Sequence, residues 1–405
     1  MAVKRIDCVR DFYYTKVSWL LFLLVIMVTL LVPSRKLSAN IYKFFVVVPV
    51  IAMLSTEMIK SMFENMSVRW LALLSLYFML SMVWGPSIDQ VDNHFVRILG
   101  VWAFLFLVHG IARYHPEFFL RVDEVMVGFG VVWTVILLIN WESLWQPGGP
   151  EFDLLKIPYG VFTHHVQIGW MLAALCLLAL QRALRQAGAC FCWLGCGLFF
   201  FVVLICTQAR GGYLVFGAGL LAWALMGDRL KKWPYVLSVF VALSGAVLVV
   251  FKAVPGMFSS ILLRGSAGRF EIWRNWYDLW SSDILKAIFG FGLNHPTENV
   301  FSKHVAAHFH SFYLNSLFYV GIVGFVLVGG WIVCSLRTYA AGQSLSPQWY
   351  PVVIGMLVGF LTDGDKLFNY PGAFVFCFVL PVFCLSIRKD LFLDAAGKTA
   401  RTKTA

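Results

Sequence analysis

The sequence carries little charge. Asp, Glu, Lys and Arg make up 13% of its 405 residues, whereas a typical soluble domain has about a quarter. Hydrophobic residues make up 60% of the chain. They form continuous runs of about 20 residues, the length of a helix that crosses a bilayer, rather than the ten-residue alternation typical of membrane β-barrels. These features exclude an ordinary soluble domain and predict an all-α polytopic membrane protein.

Two other features are missing. The first apolar run, Val17 to Val32, has no small-residue cleavage site after it, so it is interpreted as a retained span rather than a signal peptide. The nine cysteines lie in apolar runs or at their ends and form no disulfide framework. The CxCxxxC pattern from Cys190 to Cys196 has no further ligands nearby, which favours buried membrane cysteines over a metal site.

The apolar runs number about twelve at the length that a bilayer requires. We expect spans one to nine in residues 1–252, an outer loop at 253–310, spans ten to twelve in 311–387 and a basic cytoplasmic tail at 388–405. Basic residues concentrate in the loops on the side of the N-terminus, which places that side inside. The net charge of +11 is attributed to these loops. We therefore expect membrane lipids but no nucleic acid as partners, and a monomer.

The stretch from Arg264 to Leu314 interrupts the apolar pattern with charges, aromatics and histidines. Arg269, Trp273, Trp276 and Trp280 follow one another at helical spacing, so they share one face of a predicted amphipathic helix that suits the bilayer interface. Its start, between Arg264 and Arg269, combines free N–H groups with two arginines and predicts an anion site. The glycines of FGFG, Gly290 and Gly292, allow tight turns or close approach to a ligand.

Polar residues elsewhere fall on the same predicted outer side. Arg210 stands between two apolar runs with almost no loop, and a charge at the bilayer edge is a functional candidate. His310 lies where the outer loop re-enters the membrane, and an imidazole can move a proton near neutral pH. His304 and His308 have helical spacing, but HExxH is absent, which disfavours zinc. Asp363 and Asp365 suit either the orientation of a histidine or basic group, or a solvated turn.

These motifs together resemble those of the bacterial O-antigen ligases, within the wider O-antigen ligase and polymerase superfamily. The resemblance rests on their order: an Arg-Gly after a span, RxxxW opening the outer loop, a GxG turn, HxxYL entering the next span, and a following GIVG. In this sequence they are Arg210-Gly211, Arg269 to Trp273, Gly290 and Gly292, His310 with Tyr313 and Leu314, and Gly321 to Gly324. The family commonly has Asn after the histidine, where this chain has Ser311.

The resemblance implies a GT-C-like, inverting glycosyltransferase at the periplasmic face of the bacterial inner membrane. It would move a glycan from undecaprenyl pyrophosphate to lipid A–core without a metal or other cofactor. Its catalytic residues would be His310, as base or acceptor-positioning group, with Arg210 and Arg269 holding the pyrophosphate. Further residues assigned to the substrate are Arg264, Tyr313, His164, His165 and Trp273.

Three alternatives stay open at this point. An O-antigen polymerase or a protein O-oligosaccharyltransferase would share the donor and differ in its acceptor. A transporter of polyprenyl-linked glycans would be expected to place polar groups in mid-membrane, whereas here they collect at one face. A purely structural membrane protein leaves Arg210 and the outer histidines unexplained.

Overall fold

The protein is a helical bundle. The computed structural model describes residues 10, 12–32, 34–85, 91–139, 165–185, 190–226, 245, 269–293, 295, 309–364, 368 and 372–390. Within these ranges the regular structure is helical, apart from one isolated β-bridge between Ser344 and Arg388. This confirms the predicted all-α class. Lipid offers no hydrogen-bond partners to the backbone, so a helix is the structure that satisfies each apolar run internally.

The helices are numbered in chain order. In the first part of the chain they are α1 (Ser18–Leu31), α2 (Arg35–Tyr42), α3 (Val48–Met53), α4 (Thr56–Phe63), α5 (Met66–Ser81), α6 (Val91–Tyr114), α7 (Pro116–Phe119), α8 (Val122–Ile139) and α9 (His165–Arg185). They continue as α10 (Cys190–Cys206), α11 (Arg210–Ala224), α12 (Arg269–Ser281), α13 (Ile284–Phe289), α14 (Phe312–Ala340), α15 (Tyr350–Gly359) and α16 (Leu380–Ser386). Short π-helical segments at Tyr13–Val17, Lys43–Val47 and Val375–Val379 and a 3₁₀ turn at Pro347–Trp349 adjoin them.

Six helical stretches of the described chain are long and apolar enough to cross a membrane. They are Tyr13–Leu31, Lys36–Met53, Asn93–Tyr114, Val122–Ile139, Val166–Arg185 and Phe312–Ala340. Shorter apolar helices lie at Met66–Ser81, Cys190–Cys206 and Val375–Ser386. The predicted total of about twelve spans stays a prediction, and the run near 233–252, except residue 245, and most of the tail lie outside the described residues.

Helix α9 lies at the centre of the bundle and packs against α11 through small residues. Gly169 of α9 meets the backbone of Gly212, and Leu177 of α9 meets Gly219 further along α11. The two helices therefore run parallel. Small residues at such contacts let helix backbones approach closely, which is a main source of helix association in lipid.

Helix α15 packs against α11 in the opposite direction. Gly359, its last residue, lies near the Gly211 carbonyl, and Gly355 lies against Val215. The first residues of α9 and α11 therefore meet the last residue of α15 at one end of the bundle, which we call the site end. The N-terminus of α14 joins them, since the Phe312 N–H donates to the Phe360 carbonyl at 3.1 Å.

Gly355→Ala is expected to separate α11 from α15, because the added Cβ would overlap the Val215 carbonyl oxygen. Overpacking of this kind costs about 1–3 kcal/mol of unfolding free energy, measurable as a lower denaturation midpoint in detergent. Gly217→Ala is the matched control, since a Cβ on that residue of α11 meets nothing within 4 Å. Equal midpoints for the two variants would contradict this account of the packing.

Helix α14 is broken at Gly321, whose φ of 62° and ψ of −167° are not helical. The break frees the carbonyls of Phe318 and Tyr319, which accept the Phe291 and Gly292 N–H groups at 2.8 and 3.0 Å. A Cβ on Gly290 would lie 2.6 Å from the Gly321 nitrogen. The glycines of FGFG thus serve close backbone packing, which attaches the turn after α13 to α14.

At the opposite end of the bundle, a salt bridge joins α9 to α8. The Arg182 guanidinium of α9 donates to both carboxylate oxygens of Asp123 in α8, at 2.6 and 2.7 Å, and lies 2.9 Å from a Glu124 oxygen. Asp123 is 1% exposed, so removing either partner would leave a buried charge unpaired, which is strongly destabilising. At this end Tyr339 of α14 also stacks on Tyr350 of α15, with ring centroids 4.2 Å apart.

The prediction that the tryptophan face of α12 lies on the bilayer is wrong. Trp276 is 6% exposed and belongs to the hydrophobic core, and Trp273 and Trp280 pack against that core. The exposed rings of α12 are instead Phe270 and Tyr277. An amphipathic pattern identifies an apolar face but not whether lipid or protein covers it, and here protein covers it.

The cysteines of α10 are also placed differently from the prediction. Cys190 and Cys196 are half-buried, Cys192 is exposed, and none of the three forms a disulfide. The prediction of buried cysteines is therefore wrong for Cys192, which lies on the outward face of an apolar helix.

Candidate functional site

Arg210 is the first residue of α11 and lies at the site end. Only Thr207, Gln208 and Ala209 separate it from α10. This turn is rigid, since the Ala209 N–H donates to the Thr207 hydroxyl and the Tyr213 hydroxyl of α11 donates back to the Ile205 carbonyl. The near-absence of a loop, expected from the sequence, thus holds Arg210 in a fixed position at a helix N-terminus.

His310 lies two residues before α14, also at the site end, and has an unusual backbone. Its φ is 50°, and Gln208 has a φ of 52°; no other non-glycine residue in the described ranges has a positive φ. Such conformations cost of order 1–3 kcal/mol and concentrate at functional sites. Both of these residues lie in segments that carry candidate site residues.

Asp363 faces His310. Its carboxylate oxygen Oδ2 lies 3.9 Å from Nδ1 of His310, and the two side chains are 8% and 24% exposed. That distance exceeds a hydrogen bond but gives an ion pair when the imidazole is protonated. The other oxygen, Oδ1, accepts the Gly364 N–H at 2.8 Å, which fixes the orientation of the carboxylate.

The turn that carries Asp363 is bound to the start of α14. Ser311 donates its hydroxyl to the Phe360 carbonyl at 3.2 Å, and the Asn315 amide donates to the Gly364 carbonyl at 2.8 Å. These bonds flank His310 on its C-terminal side and hold Asp363 within reach of it. Ser311, which stands where the resembling family commonly has Asn, therefore contributes to positioning the turn.

Arg269, the first residue of α12, completes the group. Burial lowers the pKa of its guanidinium, the carboxylate of Asp363 opposes that shift, and the positive charge of Arg210 adds to it. Arg269 thus interacts with both residues, although it lies 59 residues from one and 94 from the other along the chain. An arginine stays charged at neutral pH despite such shifts, so two guanidinium groups and one carboxylate share this site.

The site therefore unites Arg210, Arg269 and His310, three residues predicted from the sequence, with Asp363. Two arginines can hold a phosphate or pyrophosphate through paired hydrogen bonds. An imidazole beside an oriented carboxylate can accept a proton. In the part of the chain that the structure describes, no three His, Cys, Asp or Glu side chains lie together as a metal site would require.

The other candidate residues are placed as follows. The Tyr313 hydroxyl donates to the Leu357 carbonyl of α15, and the Trp273 indole donates to the Phe309 carbonyl, so the polar atoms of both side chains bind the protein's own backbone. The backbone of His165 begins α9, next to Val166, which contacts Gly211. Arg264, His164, His304, His308, Asp365 and the side chain of His165 lie outside the described residues.

The sequence did not indicate the residues that surround and position the candidate site. It did not single out Gln208, which is 2% exposed, nor Asn315. The sequence identifies Asp363, but its position suits an orienting carboxylate and a solvated turn equally. The signal available was the Asp-Gly pair at the end of a short apolar run, where the small residue lets the turn approach Phe312 of α14.

Comparison with known families bears on the same region. Residues 195–329, about a third of the chain, match the family model described as O-antigen ligase. This segment is an O-antigen ligase family domain. The ligase domain runs from α10 to α14 and contains Arg210, Arg269 and His310, while Asp363 follows it. Its family indicates an enzyme of the ligase or polymerase type in O-antigen processing. No curated protein matches the chain.

Proposed function

We propose that the protein is an inverting glycosyltransferase that ligates O-antigen polysaccharide from undecaprenyl pyrophosphate onto lipid A–core, at the periplasmic face of the bacterial inner membrane. The observation that carries the proposal is the meeting of Arg210, Arg269, His310 and Asp363 at one end of a membrane-spanning bundle. A lipid-linked donor has its tail in the bilayer and its pyrophosphate at the interface, which is where such a site can reach it.

The two arginines would hold the donor. When the glycosidic bond breaks, the bonding electron pair leaves with the undecaprenyl pyrophosphate, and negative charge grows on its oxygens. Arg210 and Arg269 repel one another, as the effect of one on the pKa of the other shows, and an anion between them would relieve that repulsion. Fixed cations directed at developing charge are an effective means of lowering a reaction barrier. Arg264 would assist from the segment that precedes α12.

His310 would act on the acceptor. A hydroxyl oxygen of the acceptor sugar attacks the anomeric carbon on the face opposite the pyrophosphate, forms the new C–O bond and inverts that centre. The hydroxyl proton passes to the imidazole of His310, and Asp363, 3.9 Å from Nδ1, stabilises the imidazolium that results. The strained φ of 50° at His310 would hold the ring in the orientation that this transfer needs.

The acceptor decides between the ligase and its relatives. A polymerase would use the same two arginines and His310 with a growing glycan as acceptor, and a protein oligosaccharyltransferase would use them with a protein hydroxyl. A transporter of lipid-linked glycans is disfavoured because the four polar residues collect at the site end rather than midway along the helices.

Reconstitution tests the function directly. The purified protein in liposomes would be supplied with undecaprenyl-pyrophosphate-linked glycan and, in parallel, with lipid A–core, unlinked donor glycan or a serine-containing acceptor protein. We expect glycan on lipid A–core with the inverted anomeric configuration. Transfer to one of the other acceptors alone would replace the ligase assignment with that relative, and flipping of donor without transfer would support a transporter.

Full chelation of divalent metals is expected to leave the transfer rate unchanged, because the two guanidinium groups would neutralise the pyrophosphate as a metal ion does in other enzymes. The measurement is the initial rate in excess EDTA against the untreated rate. A rate that falls in EDTA and returns on addition of Mg²⁺ or Zn²⁺ would contradict the assigned role of the arginines.

A further inference from the structure

One hydrogen bond connects the two halves of the site. The indole Nε1–H of Trp273 donates to the Phe309 carbonyl at 3.1 Å. Trp273 lies one helical turn after Arg269 in α12, and Phe309 directly precedes His310. The bond therefore joins the helix that presents a candidate pyrophosphate ligand to the residue that presents the candidate base.

Phe309 is fixed in the core of the protein. Its side chain is fully buried, and its ring lies against Phe318, with centroids 4.8 Å apart. Phe318 in turn stacks on Phe291, at 4.5 Å and an interplanar angle of 10°. The side chain of Phe309 is held in this aromatic cluster. The carbonyl of Phe309 belongs to the peptide group that joins it to His310, so the orientation of that carbonyl sets the direction of the backbone at His310.

His310 is consequently restrained on both sides. Before it, the Phe309 carbonyl is bound by Trp273; after it, the Phe312 N–H binds the Phe360 carbonyl. A backbone with a positive φ persists only where its surroundings determine it. The Trp273 bond is a restraint on the N-terminal side of the strained residue.

The other tryptophans of α12 provide a contrast. Among the residues that the structure describes, the buried indole nitrogens of Trp276 and Trp280 have no hydrogen-bond partner, and the two rings stack on each other, 5.4 Å apart. Three tryptophans thus share one face of the helix, and within the described part of the chain only the first of them donates its N–H to another element.

We propose that Trp273 is a positioning residue for the transfer reaction: its indole N–H fixes His310 relative to Arg269 and does not contact substrate. This inference rests on the proposed function and assigns to Trp273 a role different from the substrate contact suggested by its sequence motif. The proposal requires that the indole N–H of Trp273, and not only its aromatic ring, contributes to the transfer rate.

Trp273→Phe keeps an aromatic ring and removes the donor, and Trp276→Phe makes the same change where the donor has no partner among the described residues. We expect kcat of Trp273→Phe to fall about 10- to 100-fold, because a displacement of about 1 Å at a reacting group can cost on the order of 100-fold. KM for the lipid-linked donor and for the acceptor should stay unchanged in both variants, and kcat should stay unchanged in Trp276→Phe. An equal kcat for the two variants, or a raised donor KM as the main effect in Trp273→Phe, would overturn the proposal.

Hydrogen exchange of the peptide spanning residues 309–314, followed by mass spectrometry, gives a readout that does not depend on activity. We expect faster exchange in Trp273→Phe than in the unaltered protein and in Trp276→Phe; equal exchange in all three would overturn the restraint itself. If the unaltered protein transfers no glycan, the proposed function fails, and the exchange result still decides whether Trp273 restrains His310. If it transfers glycan and the two variants behave alike, only this inference fails.

Discussion

His310→Asn is expected to reduce glycan transfer by about 100- to 10,000-fold, the range of a lost general base, while the protein stays folded in the membrane. Asparagine is chosen because it tolerates a positive φ far better than most residues do, and the φ of His310 is 50°. The substitution therefore removes the imidazole without adding backbone strain. The measurement is the initial rate of transfer to lipid A–core by equal amounts of monodisperse protein.

His310→Ala is a less specific test, because alanine disfavours the left-handed conformation. A loss of activity in that variant would combine the removal of the imidazole with added backbone strain. A control at the far end of the bundle is His115→Asn, since that ring bonds the Tyr14 carbonyl at 3.0 Å and takes no part in the site. Its rate should match that of the unaltered protein. A near-normal rate for His310→Asn would exclude His310 as the base, and a raised acceptor KM with unchanged kcat would make it an acceptor-positioning group.

Arg210→Lys and Arg269→Lys should each lower kcat/KM for the lipid-linked donor by about 10- to 100-fold. Lysine keeps the charge but loses the planar fork that binds two phosphate oxygens, and a hydrogen bond to a charged group is worth about 1.5–3 kcal/mol. The two sites interact, because the charge of Arg210 affects the pKa of Arg269. The double variant is therefore expected to depart from the sum of the single effects, as neighbouring groups in one network do.

Arg274→Lys serves as the control for both arginines. Arg274 lies on α12, as Arg269 does, but its side chain is exposed, so its replacement should not change the transfer rate. If Arg210→Lys and Arg269→Lys were as active as Arg274→Lys, the arginines would act through charge alone and the bidentate contact to pyrophosphate would be refuted.

The sequence could predict those residues of the candidate site that are charged or polar and interrupt or border an apolar run. Arg210 stands out because a charge beside the bilayer is costly, and His310 because it begins a long apolar run. Both positions follow from local pattern alone. The helical class was predictable for the same reason, since continuous apolar runs leave the backbone no other way to satisfy its hydrogen bonds.

The contacts between distant segments were not predictable. The approach of Asp363 to His310 depends on Phe360 and Gly364 packing against the start of α14, and the sequence specifies neither contact. The pattern of α12 mispredicts the surroundings of its tryptophan face for a related reason. Tryptophan suits a bilayer interface and a protein core equally well, because its ring is apolar and its N–H can find an acceptor in either place.

In the proposed reaction, the break in α14 at Gly321 would set the height of the site above the membrane. From the break to Ala340 the helix is about 30 Å long, and the segment before the break adds about 13 Å, at about 1.5 Å per residue. The longer part equals the hydrocarbon thickness of an average bilayer, about 30 Å, so in the proposed arrangement the shorter part would carry Phe312, and His310 two residues before it, to the level of the phosphate headgroups. Hydrophobic mismatch would change that level: a thicker bilayer would draw the site toward the acyl chains, and a thinner one would lift it away from the pyrophosphate of the proposed donor.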